Sequence, residues 1–351
     1  MKPMLVILVL LVVSVVTLSA CVSQAPQANS QSTVPSPSPT PSLTTVKVGY
    51  LPVTTFGPLY LAQEEGYFAR QGINLELVKF QSAPASLPAL INGDIAVSGG
   101  QLSPAIVNAV TKGAHVRIVA DKGRAAPSAC VAQGFMVRQD LFDSGAVRNV
   151  SDLKGKRIMV NLDSSYGIYR VLAMGNLTID DVEVVNMDFA SAVVAFKNGG
   201  IDAGSLSEPY ITQTLNSHSA VVFIPTYVYA PDLPTPLYYG PAILDKDPEL
   251  GRRFMVAYLQ GAKQYNEGKT ERNLAILGNY TKLDRELLNQ SCWLPIDPTG
   301  DLPRQPVRDY VNWMYANGNI NQNPDDDLLF DTSYVNYANG VLRNSTVGKT
   351  P

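Results

Sequence analysis

The sequence predicts an α/β fold with two lobes. Strand-like and helix-like segments alternate from about residue 46, and this alternation closes and then starts again near residue 134. A mainly helical stretch then runs from residue 247 to the end, with one irregular segment at 292–306.

The first strand is expected at 46–50. Gly57 and Pro58 start a helix, because proline at the first helical position lacks only an amide that would go unpaired. That helix is expected to run from Leu59 to Arg70 and stop near Gly72. Residues 73–80 alternate apolar and polar side chains, as a half-buried strand does. A short helix follows near 85–91, then a strand at 95–97 that ends in Ser98, Gly99, Gly100 and Gln101. Ser103 and Pro104 open a helix that ends at Lys112 and Gly113, and 116–120 is again a strand. This series predicts a mostly parallel sheet with helices on both faces.

The second series begins with strands at 134–138 and 158–160. A helix capped by Asp163, Ser164 or Ser165 runs through Met174. A strand at 182–187, a helix at 190–197 and a strand at 201–206 follow. Residues 221–229 and 238–244 read as extended, on either side of the proline-rich stretch 231–236. Two crossings between lobes are expected near 121–131 and 224–238. One lobe then comprises 46–123 with 230–345, and the other comprises 124–229.

The N-terminus carries a different signal. Lys2 precedes an uncharged, mostly apolar run that ends in Leu18, Ser19, Ala20 and Cys21. This reads as a lipoprotein signal peptide, residues 1–20, cut before Cys21, whose thiol takes the lipid. The alternative is an uncut membrane-anchoring helix, although the run falls just short of the roughly 20 residues that a span needs. Either way the body is expected outside the cytoplasm, on the outer face of the cell membrane. Residues 21–45 contain five prolines and, from 22 on, neither charge nor aromatic side chain, so they are expected to form a disordered tether. Fully extended, it reaches about 80 Å.

About 300 residues remain for the body, enough for two modest lobes. Loss of Lys2 takes the net charge from −3 to −4. No basic block or aromatic-basic stripe appears, which argues against nucleic acid as a partner. Beyond Cys21 only Cys130 and Cys292 remain. In an oxidising compartment they can pair, or they can be two buried thiols; the sequence leaves both open. Five N-glycosylation sequons, at Asn149, Asn176, Asn279, Asn289 and Asn344, matter only in a host that glycosylates exported proteins.

Several stretches resemble one family. PLYLAQEEGYF at 58–68 and GINLEL at 72–77 follow the first strand, ALINGDIA spans 89–96, DLKGKR spans 152–157, GGIDA spans 199–203, and Glu208, Pro209 and Tyr210 come next. Their order and spacing resemble the substrate-binding proteins of ABC importers for nitrate, sulfonates, taurine and thiamine-pyrimidine precursors. The resemblance covers nearly all of the body. It implies the periplasmic binding protein type 2 fold, a small-molecule ligand, an importer permease as partner, no cofactor and a monomer.

In open parallel sheets ligands bind beyond the carboxyl ends of the strands. That rule selects Thr54, Thr55 and Phe56; Gln81 with Ser82 and Ala83; Ser98, Gly99 and Gln101; and Asp163, Ser164, Ser165 and Tyr166. Their hydroxyls, amides and backbone N–H groups can hold an anion, but the same residue types also cap helices. The resemblance favours Thr55, Ser98 and Ser165 and implies that Glu208 faces the cleft, where it suits a ligand carrying a donor. Arg124 on the first crossing is the expected counter-charge to an anion. Phe56, Tyr166, Tyr210, Tyr238 and Tyr239 are candidates for stacking on a planar ligand. The expected cargo is a small polar organic molecule or an oxyanion.

Enzymatic chemistry has little to stand on. The two histidines, His115 and His218, lack metal-ligand spacing, and no nucleophile elbow is present. Asp325, Asp326 and Asp327 lack the alternating spacing of a calcium loop and are expected to start the last helix. A tethered sensor domain is the remaining alternative to a transport receptor.

Overall fold

A computed structural model describes residues 43–125, 127, 130–161, 165–232 and 234–347. The signal segment, Cys21 and most of the tether lie outside these, as do Asp163 and Ser164.

In chain order the first part comprises β1 (Thr44–Tyr50), α1 (Gly57–Glu64), α2 (Tyr67–Arg70), β2 (Ile73–Lys79), α3 (Ala83–Asn92), β3 (Val97–Gly99), α4 (Pro104–Thr111) and β4 (Arg117–Arg124). The strand begins two residues inside the stretch expected as tether, because Thr44 and Thr45 pair with Ile73 and Asn74. The single helix expected over 59–70 is two. Gly66 takes a left-handed φ of 68° between them, which a residue without Cβ adopts at no steric cost.

The second part comprises β5 (Gln133–Arg138), α5 (Gln139–Asp143), β6 (Arg157–Val160), α6 (Ser165–Met174), β7 (Glu183–Asn186), α7 (Phe189–Lys197), β8 (Ala203–Ser207), α8 (Tyr210–Asn216), β9 (Ala220–Pro225) and α9 (Thr226–Tyr229). The chain then returns through β10 (Pro234–Tyr239). It continues with α10 (Pro241–Leu244), α11 (Pro248–Tyr265), α12 (Glu271–Thr281), α13 (Arg285–Gln290), α14 (Arg304–Ala316), α15 (Asp326–Leu329) and α16 (Ser333–Val347).

Two five-stranded sheets result, ordered β2-β1-β3-β10-β4 and β7-β6-β8-β5-β9. Each is mixed. In the first, β1 pairs in parallel with β2 and β3, while β10 lies antiparallel between β3 and β4. In the second, β6 pairs in parallel with β7 and β8, while β5 lies antiparallel between β8 and β9. The reversed strand in each sheet is the one the chain forms on arriving from the other sheet.

The stretches expected as extended on both sides of the prolines are shorter than predicted, and two of the three prolines, Pro234 and Pro236, are in β10. Pro234 is its first residue, and a register shift separates Pro234 from Pro236. Both places tolerate a missing N–H, which is how an interior strand accommodates them. Two helices supply much of the first half's packing. Gly261 on α11 lets α1 come so close that a Cβ there would stand 2.1 Å from the Pro58 carbonyl oxygen. Asp325, Asp326 and Asp327 precede or begin α15, not the last helix as expected, and Asp326 faces Arg304 and Arg308. No helix among the described residues is long and apolar enough to cross a membrane.

Candidate functional site

A cavity of about 50 Å³ opens between the edges of the two sheets. The first sheet's side contributes Thr54, Thr55 and Phe56 from the turn after β1, Gln101 from the loop after β3, and Lys122 near the end of β4. The second sheet's side contributes Gln133 at the start of β5, Phe189 at the start of α7, and Ser207 and Glu208 at the end of β8. A second cavity of about 20 Å³ shares Gln101, Gln133, Phe189 and Ser207 with the first.

Lys122 is the buried cation of this wall. Its side chain is 2 % exposed, its Nζ donates to Thr55 Oγ1 at 2.9 Å, and it stands 4.2 Å above the centre of the Phe56 ring. Hydrogen bonding and the ring's negative face both offset the cost of burying an ammonium. Gly99 makes room for the lysine stem, since a Cβ there would lie 2.9 Å from Lys122 Cδ and Cε. The end of β4 is fixed by Asp121, which is fully buried and accepts from the backbone N–H groups of Gly123 and Asp297. Burial pushes the Asp121 carboxyl up, against the pull of those two donors.

Glu208 is 4 % exposed and accepts three hydrogen bonds: from Thr212 N at 3.0 Å, Thr212 Oγ1 at 2.7 Å and Cys292 N at 3.0 Å. Burial raises its pKa, while the Cys292 and Thr212 donors work the other way. Cys292 is joined by a disulfide to Cys130, with the Cα atoms 5.7 Å apart across 162 residues of sequence. Cys292 packs with Ala132 and Leu294, and both of these line the cavity.

Of the residues selected from sequence, Thr54, Thr55, Phe56, Gln101 and Glu208 come together at the cavity. Ser98 and Gly99 stand behind its wall, where the Ser98 and Ser86 hydroxyls are 2.6 Å apart. Gln81 is exposed on the rim of α3. Arg124 is not the counter-charge of the cavity; it pairs with Asp297 at 3.1 Å. Tyr166 packs its ring 3.9 Å from Tyr310 and 4.9 Å from Trp313, which consumes its stacking face. Tyr210 lies 5.7 Å from Phe189, one layer behind the lining; its hydroxyl is pushed up to about 12 by burial, with Asp188 adding to the shift. Tyr238 and Tyr239 are core residues. Ser165 begins α6, and Asp163 and Ser164 fall outside the described residues.

Sequence reasoning missed Lys122, Gln133, Phe189, Ser207 and Thr235. The carboxyl-end rule holds for the parallel strands. The reversed strands bring their amino ends to the same edge, which places Gln133 of β5 and Thr235 of β10 there. Among the described residues no group of three His, Cys, Asp or Glu side chains is placed to hold a metal.

The sequence pattern of the NMT1/THI5 like family matches residues 53–268, more than half of the chain. This chain belongs to the NMT1/THI5-like family. The matched segment carries every cavity residue named above except Leu294. Among its relatives, a putative binding protein of Brucella abortus is 26% identical over 232 residues, 64% of this chain and 67% of the relative. A putative aliphatic sulfonates-binding protein of Bacillus subtilis is 27% identical over 186 residues, 50% of this chain and 53% of the relative. The bicarbonate-binding protein CmpA of Synechococcus elongatus is 25% identical over 190 residues, 47% and 41% respectively.

Solved structures show the same fold. The periplasmic nitrate-binding protein NrtA from Synechocystis superposes with a TM-score of 0.72 at 17% identity, covering 86% of this chain and 90% of that one. The desulfurization enzyme DszB superposes with a TM-score of 0.61 at 15% identity, covering 85% and 99%. NMT1/THI5-like members and their structural neighbours are thus mainly binding proteins, with an enzyme built on the same architecture.

Proposed function

We propose that this chain is the extracytoplasmic solute-binding component of an ABC importer. In this reading it captures a small oxyanion or a small polar organic anion between its two halves and presents it to a permease. The observation that carries the reading is the cavity whose walls come from both sheets, with the ammonium of Lys122 on one side and the Gln133 and Ser207 side chains on the other. A ligand there touches both halves at once, so binding favours their closed arrangement over an open one. The binding functions printed for the relatives, sulfonates and bicarbonate, agree with an anion near Lys122.

The experiment is a thermal-shift and calorimetric panel of nitrate, bicarbonate, alkanesulfonates, taurine and short carboxylates on the chain from residue 22 onward. A ligand at a hundred times its dissociation constant adds about 2.7 kcal/mol to the folded state, or several degrees at roughly 2–4 °C per kcal/mol. Lys122→Met should weaken anion binding at least tenfold while leaving the unliganded midpoint within a few degrees. Undiminished affinity in that variant removes the anion assignment. Small-angle scattering tests closure: the radius of gyration should fall on saturation. The proposal includes a single-copy receptor tethered through a lipid on Cys21. Mass spectrometry of the membrane-bound protein should find an acylated Cys21 as its first residue, and an intact Met1 would sink that part.

A further inference from the structure

The two adjoining cavities share four lining residues, Gln101, Gln133, Phe189 and Ser207. Gln101 comes from the loop after β3 and Gln133 from the first residue of β5, and both line both cavities. Oε1 of Gln133 is buried and has no hydrogen-bond partner among the described residues. A buried amide oxygen left unpaired is costly, and native structures seldom keep one without a use.

The smaller compartment behind the pair differs in chemistry from the larger one. Ser205, Thr226 and Tyr229 give it hydroxyls. Thr226 and Tyr229 bond to each other at 2.8 Å. Ser205 Oγ is buried beside the Tyr229 hydroxyl without a hydrogen bond of good geometry. The larger compartment holds Lys122 and the protein-bonded Glu208 carboxylate, and combines the hydroxyls of Thr54 and Thr235 with the apolar side chains of Leu51, Val53 and Leu294. Volume sets the scale. Both spaces exceed the about 10–15 Å³ that a single water-sized group needs, and the larger is more than twice the smaller.

Resting on the anion-binding reading above, we infer that Gln101 and Gln133 form a tail-reading element of the ligand site. The larger compartment takes the anionic head beside Lys122. A short tail passes between the two amides into the hydroxyl-lined compartment, and the amide of Gln133 takes its hydrogen bond from that tail. The tail therefore ends in a hydroxyl or amine, and a bare anion or one with an alkyl tail leaves the Gln133 amide oxygen unpaired. A site built around a buried hydrogen-bonding group discriminates strongly against an analogue lacking the partner, because the penalty falls on the protein's own group.

The test has a ligand-free arm and a ligand arm. Without ligand, Gln133→Met replaces the unpaired amide by an apolar chain of similar length. Its unfolding midpoint should match or exceed that of the wild type, and a fall of several degrees would mean that the amide has protein partners in solution and would overturn the inference. In the ligand arm, calorimetry compares ethanesulfonate with 2-hydroxyethanesulfonate and propionate with 3-hydroxypropionate. The hydroxylated member of a pair should bind at least tenfold tighter to the wild type, and that preference should vanish in Gln133→Met and shrink in Gln101→Met. Equal binding of both members overturns the tail site and leaves the anion-binding reading standing. No heat from either pair, in a protein whose folding is confirmed, overturns the tail site, and silence of nitrate and bicarbonate as well removes the anion-binding reading.

Discussion

The carboxylate of Glu208, at the end of β8 in the second sheet, accepts the backbone N–H of Cys292, a residue held by the disulfide to the first crossing. This contact joins the second half to the segment after α13, on the outer side of the cavity. Glu208 therefore serves as a fastening between halves, with all three of its donors supplied by protein.

Glu208→Gln turns one acceptor of this fastening into an N–H donor facing another donor. The cost should be about 1–3 kcal/mol at neutral pH. Burial holds the Glu208 pKa above its ordinary value despite the donors from Cys292 and Thr212. The folded protein then binds this proton more tightly than the unfolded chain, so wild-type stability rises as pH falls from neutral through the folded pKa toward the ordinary value. The glutamine variant lacks that gain. Denaturation at pH 7 and pH 5 should show the wild type's margin over the variant growing in acid; a shrinking margin contradicts this assignment.

Asp202 predicts the opposite sign. It accepts from Arg157 N at 2.8 Å, Arg157 Nη2 at 3.1 Å and Arg138 Nη1 at 2.8 Å. Burial raises its pKa, but the Arg157 bonds and the charges of Arg157 and Arg138 outweigh that and leave it lowered. Its contribution is present above the ordinary carboxylate pKa and is lost as pH falls through the folded value. Asp202→Asn should cost about 1.5–3 kcal/mol at neutral pH, and the difference should disappear in strong acid. A pH-independent difference between the two proteins would show that the charge is not what matters.

Reduction of the Cys130–Cys292 bridge frees the first crossing from the segment that carries Leu294. Loss of a native disulfide typically costs about 2–5 kcal/mol. The midpoint should fall by several degrees in reductant, and the double alanine variant should show the same fall and no further sensitivity to reductant. Native protein that reacts with a thiol reagent at both positions before unfolding would refute the pairing.

Gly261→Ala should be severe. The added methyl meets Pro58 O at 2.1 Å and Ala62 Cβ at 3.0 Å, so α11 and α1 must separate. Overpacking of this kind costs about 1–3 kcal/mol, occasionally more. Equilibrium unfolding by urea reads it directly; an unchanged midpoint would mean that the helices are not in this contact.

The fold was legible because most strands alternate with helices and because Gly and Pro mark many of the boundaries. Three things were not. Pro234 and Pro236 argued against a strand, and only the bulge that Pro236 occupies makes one acceptable. Arg124 and Tyr166 carry the right chemistry for a cleft, but their partners Asp297, Tyr310 and Trp313 come from more than a hundred residues away. Gln133 and Thr235 reach the site only because β5 and β10 run against their neighbours, a direction that periodicity does not encode.

Those two reversed strands also set when the molecule can come together. β4 has no strand neighbour except β10, which ends at Tyr239, so a growing polypeptide that has emerged only as far as residue 230 holds an incomplete first sheet. The second sheet, contiguous from β5 to β9, can assemble before the first is finished. Completion of the first must wait for a pairing that reaches back more than a hundred residues, from Leu237 to Ala120 and Gly99, and such long-range pairing is slow. Late closure of this kind leaves the first sheet without the strand that joins β3 to β4 until the chain has been made as far as Tyr239.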